Sequence, residues 1–200
     1  MQNDLFEKAP VHKAYFSFAL PVVFSMVISL IYNMADTYFI AGTGNTNLVA
    51  GVSLGAPIFT LMIALGDIFG LGGSSVISRL FGQKKDEDGK RLSVFCFYGA
   101  IVCGVIVAAV MMIFRAPILQ VLGADSDTIV YASQYYTWLV LGAPFIILVY
   151  TPSNLLRTEG FAVGSMTGTV LGAVVNIILD PIFISVLGMG AAGAAIATVI

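Results

Sequence analysis

The sequence predicts an all-α fold, a polytopic membrane helix bundle with about six transmembrane helices. Of its 200 residues, 58% are hydrophobic and only 10% are charged. A soluble domain carries about 25% charged residues, so the surface of this chain suits lipid better than water. The mean hydropathy of +0.97 indicates the same environment.

Long apolar segments separated by short polar turns give the elements in order, because about 20 apolar residues are needed to cross a bilayer core. Residues 1–13 are polar and mixed in charge, and we predict a cytoplasmic or interfacial segment there. The membrane bundle is predicted over residues 14–200. Its spans are expected near residues 14–41, 48–81, 93–114, 128–150, 165–187 and 191–200, the last one truncated.

The basic residues predict the orientation, because cytoplasmic loops of membrane proteins carry an excess of Lys and Arg. With a cytoplasmic N-terminus, only Arg115 lies outside. The remaining basic residues then all lie on the cytoplasmic side: Lys8, Lys13, Arg79, Lys84, Lys85, Lys90, Arg91 and Arg157. We therefore predict a multi-pass protein whose N-terminus is cytoplasmic.

The stretch over residues 174–184 is apolar except for Asn176, Asp180 and Pro181. Asn176 and Asp180 are four residues apart, which places them on one helical face. Pro181 lacks an N–H, so it frees the carbonyl of Ile177 between these two side chains. A charge at this depth costs about 2.5–3.5 kcal/mol, so a buried carboxylate indicates function, here a cation site. The alternative is that Asp180 is protonated, or lies near a helix end, and only satisfies a neighbour.

Asp36 and Thr198 are predicted to lie at the same depth as Asp180. Counting inward at 1.5 Å per residue places all three about 7–12 Å below the outer surface. Asp36 cannot face lipid, so its helix face must look into protein or a water-filled cavity. Pro21 is expected to bend the same helix, because it removes a backbone hydrogen bond.

Further side chains are candidates for lining a cavity. Tyr32 and Asn33 share the helical face of Asp36. Tyr135 and Tyr136 could point inward or belong to an aromatic belt at the membrane interface, and the sequence favours neither. Asp67 is a third acid at depth, with no obvious partner in the sequence.

Four glycines lie close together in the second predicted span. Small residues at four-residue spacing let membrane helices approach closely, so packing explains them better than ligand binding does. They are Gly66, Gly70, Gly72 and Gly73.

The sequence also argues against several functional classes. It contains no basic stripe that would bind nucleic acid. It has no Ser/His/Asp set, no phosphate-binding loop and no H-E-x-x-H motif, so we do not expect an enzyme. Cys96 and Cys103 lie in one apolar segment without nearby His or acid, and are interpreted as small hydrophobic residues. No cofactor is expected.

Several motifs together resemble one transporter family, the multidrug and toxic compound extrusion (MATE) family, and in particular its bacterial branch. The resemblance covers essentially the whole chain, in order and at family spacing. It rests on Leu20-Pro21, the segment 32–37 (YNMADT), Gly72-Gly73-Ser74-Ser75 with Ser78-Arg79, Arg157-Thr158-Glu159-Gly160, the segment 176–181 (NIILDP) and the segment 193–198 (GAAIAT).

This resemblance implies a fold of twelve helices in two six-helix lobes, of which the chain would be the N-terminal half. It implies export of drugs or other cationic and amphipathic compounds in exchange for H⁺ or Na⁺, across the bacterial cytoplasmic membrane. The cation site, including any Na⁺, would comprise Asp36, Asn176, Asp180 and Thr198, with helix bending at Pro21. The implied partners are membrane lipid, a drug-like substrate and a second six-helix lobe.

Two alternatives to a drug exporter remain at this stage. One is a flippase of lipid or of lipid-linked sugar with a related fold, although the predicted spans contain almost none of the cationic residues that would face such a substrate. The other is a non-transporting membrane module that needs a partner lobe. A second six-helix half in the reading frame after Ile200 would argue against the module.

Overall fold

The structure, a computed structural model, describes residues 10–200. Over that range the chain consists of helices and short connections without a strand, which confirms the predicted all-α fold. The helices are α1 (Val11–Ala41), α2 (Thr46–Ser53), α3 (Ala56–Gly82), α4 (Asp86–Ile113), α5 (Arg115–Val121), α6 (Ile129–Leu141), α7 (Ala143–Thr158), α8 (Ala162–Pro181), a π-helical turn (Ile182–Val186) and α9 (Gly190–Val199).

In the described part of the chain, four segments are long and apolar enough to cross a membrane. They are Tyr15–Ala41, Thr46–Gly82, Asp86–Ile113 and Ala162–Val186. Helices α6 and α7 meet at an angle of 51° at Gly142 and pass the same test only together, so the number of candidate spans is five if this bent pair counts as one. Helix α9 is apolar but shorter. The described chain thus contains four to five candidate spans, and the predicted span bounds stay a prediction.

Several helix boundaries differ from the predicted ones. Helix α4 begins at Asp86, inside the predicted charged loop, because three acidic residues in its first turn interact favourably with the helix dipole. Helix α7 continues through Pro152 to Thr158, where we predicted a loop. The predicted segment 1–13 lies mostly outside the described residues, and α1 already begins at Val11.

Helices α3, α4 and α7 pack closely against one another, and the glycines of α3 allow this. A Cβ atom on Gly66 would lie 2.8 Å from the carbonyl oxygen of Ile147, and one on Gly70 would lie 2.8 Å from that of Tyr150. A Cβ on Gly73 would lie 2.5 Å from the Sγ atom of Cys96. Packing is thus confirmed for these three glycines, whereas the position of Gly72 is open.

The remaining helices form two further groups. Helix α6 packs against α9 and α2, and α1 packs mainly against α8. The core lies between α3, α6 and α7, where Met62, Leu139 and Ile147 are completely buried. Helix α1, in contrast, is exposed along most of its length. This arrangement leaves a polar seam between the α1–α8 pair and the α6–α9 group.

Candidate cation site

Asn176 and Asp180 lie one turn apart on α8, as their spacing predicts. Both are buried, and Asp180 is completely inaccessible. The Nδ2 atom of Asn176 donates to Oδ1 of Asp180 at 3.4 Å. The buried amide therefore supplies the carboxylate with one hydrogen bond, at the long end of the usual range.

Asp36 approaches this pair from α1. Its carboxylate is close enough to Asp180 for an electrostatic interaction across the contact between the two helices. Within the described part of the chain, three buried side-chain oxygens here have no hydrogen-bond partner: Oδ1 of Asp36, Oδ1 of Asn176 and Oδ2 of Asp180. Buried polar atoms are almost always paired, so these three acceptors mark a place for a proton or a cation.

Helices α6 and α9 complete the site on the opposite side. The buried side chain of Tyr135 interacts with the Thr198 side chain and with the carboxylates of Asp36 and Asp180. The Thr198 hydroxyl donates to the carbonyl oxygen of Ala194 at 2.9 Å, which leaves its own oxygen able to accept. Two carboxylates and one amide thus lie on α1 and α8, and the Tyr135 side chain of α6 connects them to Thr198 on α9.

A cavity of about 230 Å³ opens beside Asp36. Its wall combines polar side chains from α1 with apolar ones from α2 and α3. The lining residues are Asn33, Asp36, Thr37, Ile40, Val49, Val52, Ser53, Ala56, Phe59 and Tyr135. Since none of them is Lys or Arg, Asp36 gives this cavity an acidic character.

Of the four residues predicted to lie in one layer, Asn176 and Asp180 are hydrogen-bonded, Asp36 lies within electrostatic range of Asp180, and Thr198 is connected to this group through Tyr135. The two tyrosines that the sequence left undecided point to different places. Tyr135 faces the site, whereas the Tyr136 hydroxyl donates to the backbone oxygen of Met111 on α4 at 2.5 Å. Tyr136 is therefore a packing residue, and its inclusion in the cavity was wrong.

Two other predicted cavity residues do not line the cavity. Tyr32 is half-buried on α1 and interacts electrostatically with Asp36, but it does not line the cavity. Asp67 belongs to a different polar cluster, where its Oδ1 accepts a hydrogen bond from Nδ2 of Asn154 at 3.1 Å. Asp67 and Asn154 lie on different helices, so spacing along one helix could not reveal this pair.

The two prolines singled out in the sequence have different surroundings. Helix α1 is continuous through Pro21, and the hydroxyl of Ser25 donates to the Pro21 carbonyl at 2.8 Å. Pro181 ends the regular part of α8, and the π-helical turn Ile182–Val186 follows. The α-helical pattern therefore breaks directly beside Asp180, as expected for a proline that removes a backbone donor.

Sequence reasoning missed two hydroxyls in the cavity wall, those of Thr37 and Ser53. Thr37 is four residues after Asn33, and its hydroxyl donates to the Asn33 carbonyl at 2.9 Å. This four-residue spacing places Thr37 on the helical face of Asn33, so the sequence could have predicted its position. Ser53 ends α2, and only the tertiary packing of that short helix brings it to the cavity.

The donor set fits a proton or a small hard cation. Carboxylate, amide and hydroxyl oxygens are the ligands that hard cations prefer. No cluster of three or more His, Cys, Asp or Glu that could hold a metal occurs within residues 10–200. A helical membrane bundle with carboxylates at depth has the architecture of a membrane transport protein.

Comparisons with known proteins define the family. The MatE family model matches residues 21–182. The multidrug export protein MepA of Staphylococcus aureus is 37% identical over 195 residues, which cover 98% of this chain and 43% of that protein. The chain therefore belongs to the MATE family, whose members are transport proteins rather than enzymes.

Solved structures agree with this assignment. A MOP-superfamily transporter from Pyrococcus furiosus aligns with a TM-score of 0.87 at 33% identity, over 92% of this chain and 40% of that one. A single-substitution variant of a MATE transporter aligns with a TM-score of 0.90 at 32% identity, over 99% of this chain and 44% of that one. The chain thus spans less than half the length of these relatives.

Proposed function

We propose that this chain is the N-terminal lobe of a cation-coupled exporter of drugs or other cationic and amphipathic compounds. The observation that carries the proposal is the approach of Asp36 on α1 to Asp180 on α8, next to a cavity without Lys or Arg among its lining residues. An acidic cavity favours cationic compounds and disfavours the phosphate groups of a lipid-linked sugar. The relative MepA is named a multidrug export protein.

The coupling ion is proposed to bind between the two carboxylates. Two carboxylates that face each other in a low dielectric repel, so the pair should hold a proton or Na⁺ between them. Asp36, Asn176, Asp180 and Thr198 would supply the oxygen ligands, and the ion would supply the positive charge. Tyr135 would orient Thr198 on the opposite wall.

Binding of the ion would draw the α1–α8 pair toward α6 and α9, and α1 would bend at Pro21. The cavity beside Asp36 would then shrink and release its substrate. We propose that the protein lies in the bacterial cytoplasmic membrane with a cytoplasmic N-terminus. An inward membrane potential would contribute about 2.3 kcal/mol per charge per 100 mV to ion entry from outside.

The proposal is tested with the complete coding region, including the reading frame after Ile200. A lipophilic cationic dye is added to the medium around inside-out vesicles, and a pH gradient or a Na⁺ gradient, with the ion in excess in the lumen, is imposed separately. We expect gradient-driven dye accumulation by the protein that contains both lobes, and none by residues 1–200 alone. No accumulation by the complete protein under either gradient would contradict the proposal, and the effective gradient identifies the ion.

A further inference from the structure

A second polar cluster lies at the end of α8 remote from the candidate cation site. Asn154 on α7 is buried, and its Nδ2 atom donates to Oδ1 of Asp67 on α3 at 3.1 Å. The same nitrogen donates to the carbonyl oxygen of Tyr150 at 2.9 Å. This amide therefore ties the C-terminal half of α7 to α3, where Gly70 leaves room for it.

The same part of α7 is also joined to α8 by side-chain hydrogen bonds. The Nε atom of Arg157 donates to Oγ of Ser165 at 3.0 Å, and Oγ of Ser153 lies 2.8 Å from the same oxygen. Ser165 is 3% exposed, so both bonds are shielded from solvent. Buried hydrogen bonds of this kind stabilise a contact, and more so where one partner is charged.

These bonds matter because α8 is joined to the rest of the lobe at few places. Helices α1 and α8 pack mainly on each other, and α8 meets the other groups at α7 and at α9. Near α9 the chain leaves the α-helical pattern at the π-helical turn Ile182–Val186. Such turns are weaker points of a helix and are frequent at functional sites. The two ends of α8 therefore differ in their hydrogen bonding: the N-terminal end is bonded to α7, and the C-terminal end runs into the π-helical turn.

We propose that Asp67, Asn154, Ser153, Arg157 and Ser165 form a tether that holds the N-terminal end of α8, so that the α1–α8 pair moves at its other end. Asp180 lies at that moving end, immediately before the π-helical turn. The tether thereby concentrates movement where the carboxylates meet. Its consequence for transport rests on the proposed function, but its existence does not.

Spin-label distances test the tether directly. The protein is placed in nanodiscs in a background with Cys96 and Cys103 replaced by alanine. One label pair, at Val76 on α3 and Val163 on α8, reports on the tethered end. A second pair, at Val130 on α6 and Val186 in the π-helical turn, reports on the other end. All four side chains are exposed.

In the background protein we expect a single narrow Val76–Val163 distance that is the same at low and high pH and with or without Na⁺. The Val130–Val186 distance should shift with the ion. Ser165→Ala should add a second population to the Val76–Val163 distances. The control is Thr167→Ala, because the exposed Thr167 bonds only the carbonyl of its own helix, and it should behave as the background does.

A second pair of variants distinguishes the hydrogen bond between Asn154 and Asp67 from the packing of the Asp67 side chain. Asp67→Asn keeps the oxygen that accepts from Asn154, so its Val76–Val163 distance should stay narrow. Asp67→Ala removes that oxygen and should broaden the distance. A narrow, unchanged distance in both Ser165→Ala and Asp67→Ala would overturn the tether. An ion-independent Val130–Val186 distance would contradict the proposed movement. The widths of the Val76–Val163 distance distributions without ion would still show whether the tether exists.

Discussion

Asn176 and Asp180 face the same seam from successive turns of α8, with 3.4 Å between the amide nitrogen and the carboxylate oxygen. The amide oxygen of Asn176 is buried and unpaired in the described structure. Asn176 thus donates to Asp180 with its nitrogen, while its oxygen stays unpaired. In the proposed site it would be a neutral ligand beside two acidic ones.

From this arrangement we predict that Asn176→Ala weakens coupling without abolishing it. Losing one neutral hydrogen-bonding group costs about 1 kcal/mol, so the ion concentration for half-maximal dye transport should rise about fivefold. The matched control is Thr167→Ala on the same helix. Complete loss of transport in a well-folded Asn176→Ala protein would show that the amide does more than bind the ion.

The glycine packing of α3 gives a prediction about stability. Gly70→Ala should destabilise the protein by about 1–3 kcal/mol, because its Cβ would lie within 2.8 Å of the Tyr150 carbonyl oxygen. Gly72→Ala is the control, since nothing lies within 4 Å of the corresponding position. Thermal unfolding in detergent measures the difference. Equal melting temperatures for both variants would contradict the close approach of α3 and α7.

The loop before α6 gives a prediction about pH. The side-chain hydroxyl and backbone N–H of Thr128 both donate to Asp125, and these bonds hold the pKa of the Asp125 carboxyl below its usual range. A lowered folded-state pKa stabilises the fold above the ordinary Asp value of about 3.9, and this stability is lost as pH falls through the lowered value.

Asp125→Ala should therefore lower the melting temperature at neutral pH and make stability less dependent on pH below about 4. The neighbouring Asp127→Ala is the control, because its carboxylate takes no part in these bonds. Melting curves recorded from pH 3 to 7 test this. Parallel curves for wild type and Asp125→Ala would contradict a stabilising role of these hydrogen bonds.

The distribution of basic residues predicts the orientation. A reporter fused after Lys85 should be cytoplasmic, and one fused after Asp125 should be external, because positively charged loops stay inside. Paired alkaline phosphatase and fluorescent protein fusions in cells measure both. External activity of the Lys85 fusion would reverse the proposed topology and the direction of transport with it.

The sequence was sufficient to predict neighbouring polar side chains where both lie on the same helix. The four-residue spacing of Asn176 and Asp180 predicted two side chains that are hydrogen-bonded to each other. Pairings between distant helices, such as Asn154 with Asp67, depend on tertiary packing and leave no local pattern. Tyr135 and Tyr136 are adjacent, so only the rotation of α6 decides which one faces the site.

Helix boundaries were misjudged for a related reason. Pro152 and the charged residues after Gln83 are typical of loops in soluble proteins. In the structure, α7 continues through Pro152 because neighbouring helices in a membrane bundle can compensate for a lost backbone bond. Acidic residues at the start of α4 stabilise the helix instead of ending it.

The most direct measurement of the central claim uses Asp36→Asn in the complete protein. This substitution removes the charge and keeps nearly the same shape. We predict that gradient-driven dye transport is lost while dye exchange without a gradient, membrane insertion and thermal stability are retained. Transport driven at near-normal rates by the Asp36→Asn protein would contradict a coupling site at Asp36 and Asp180.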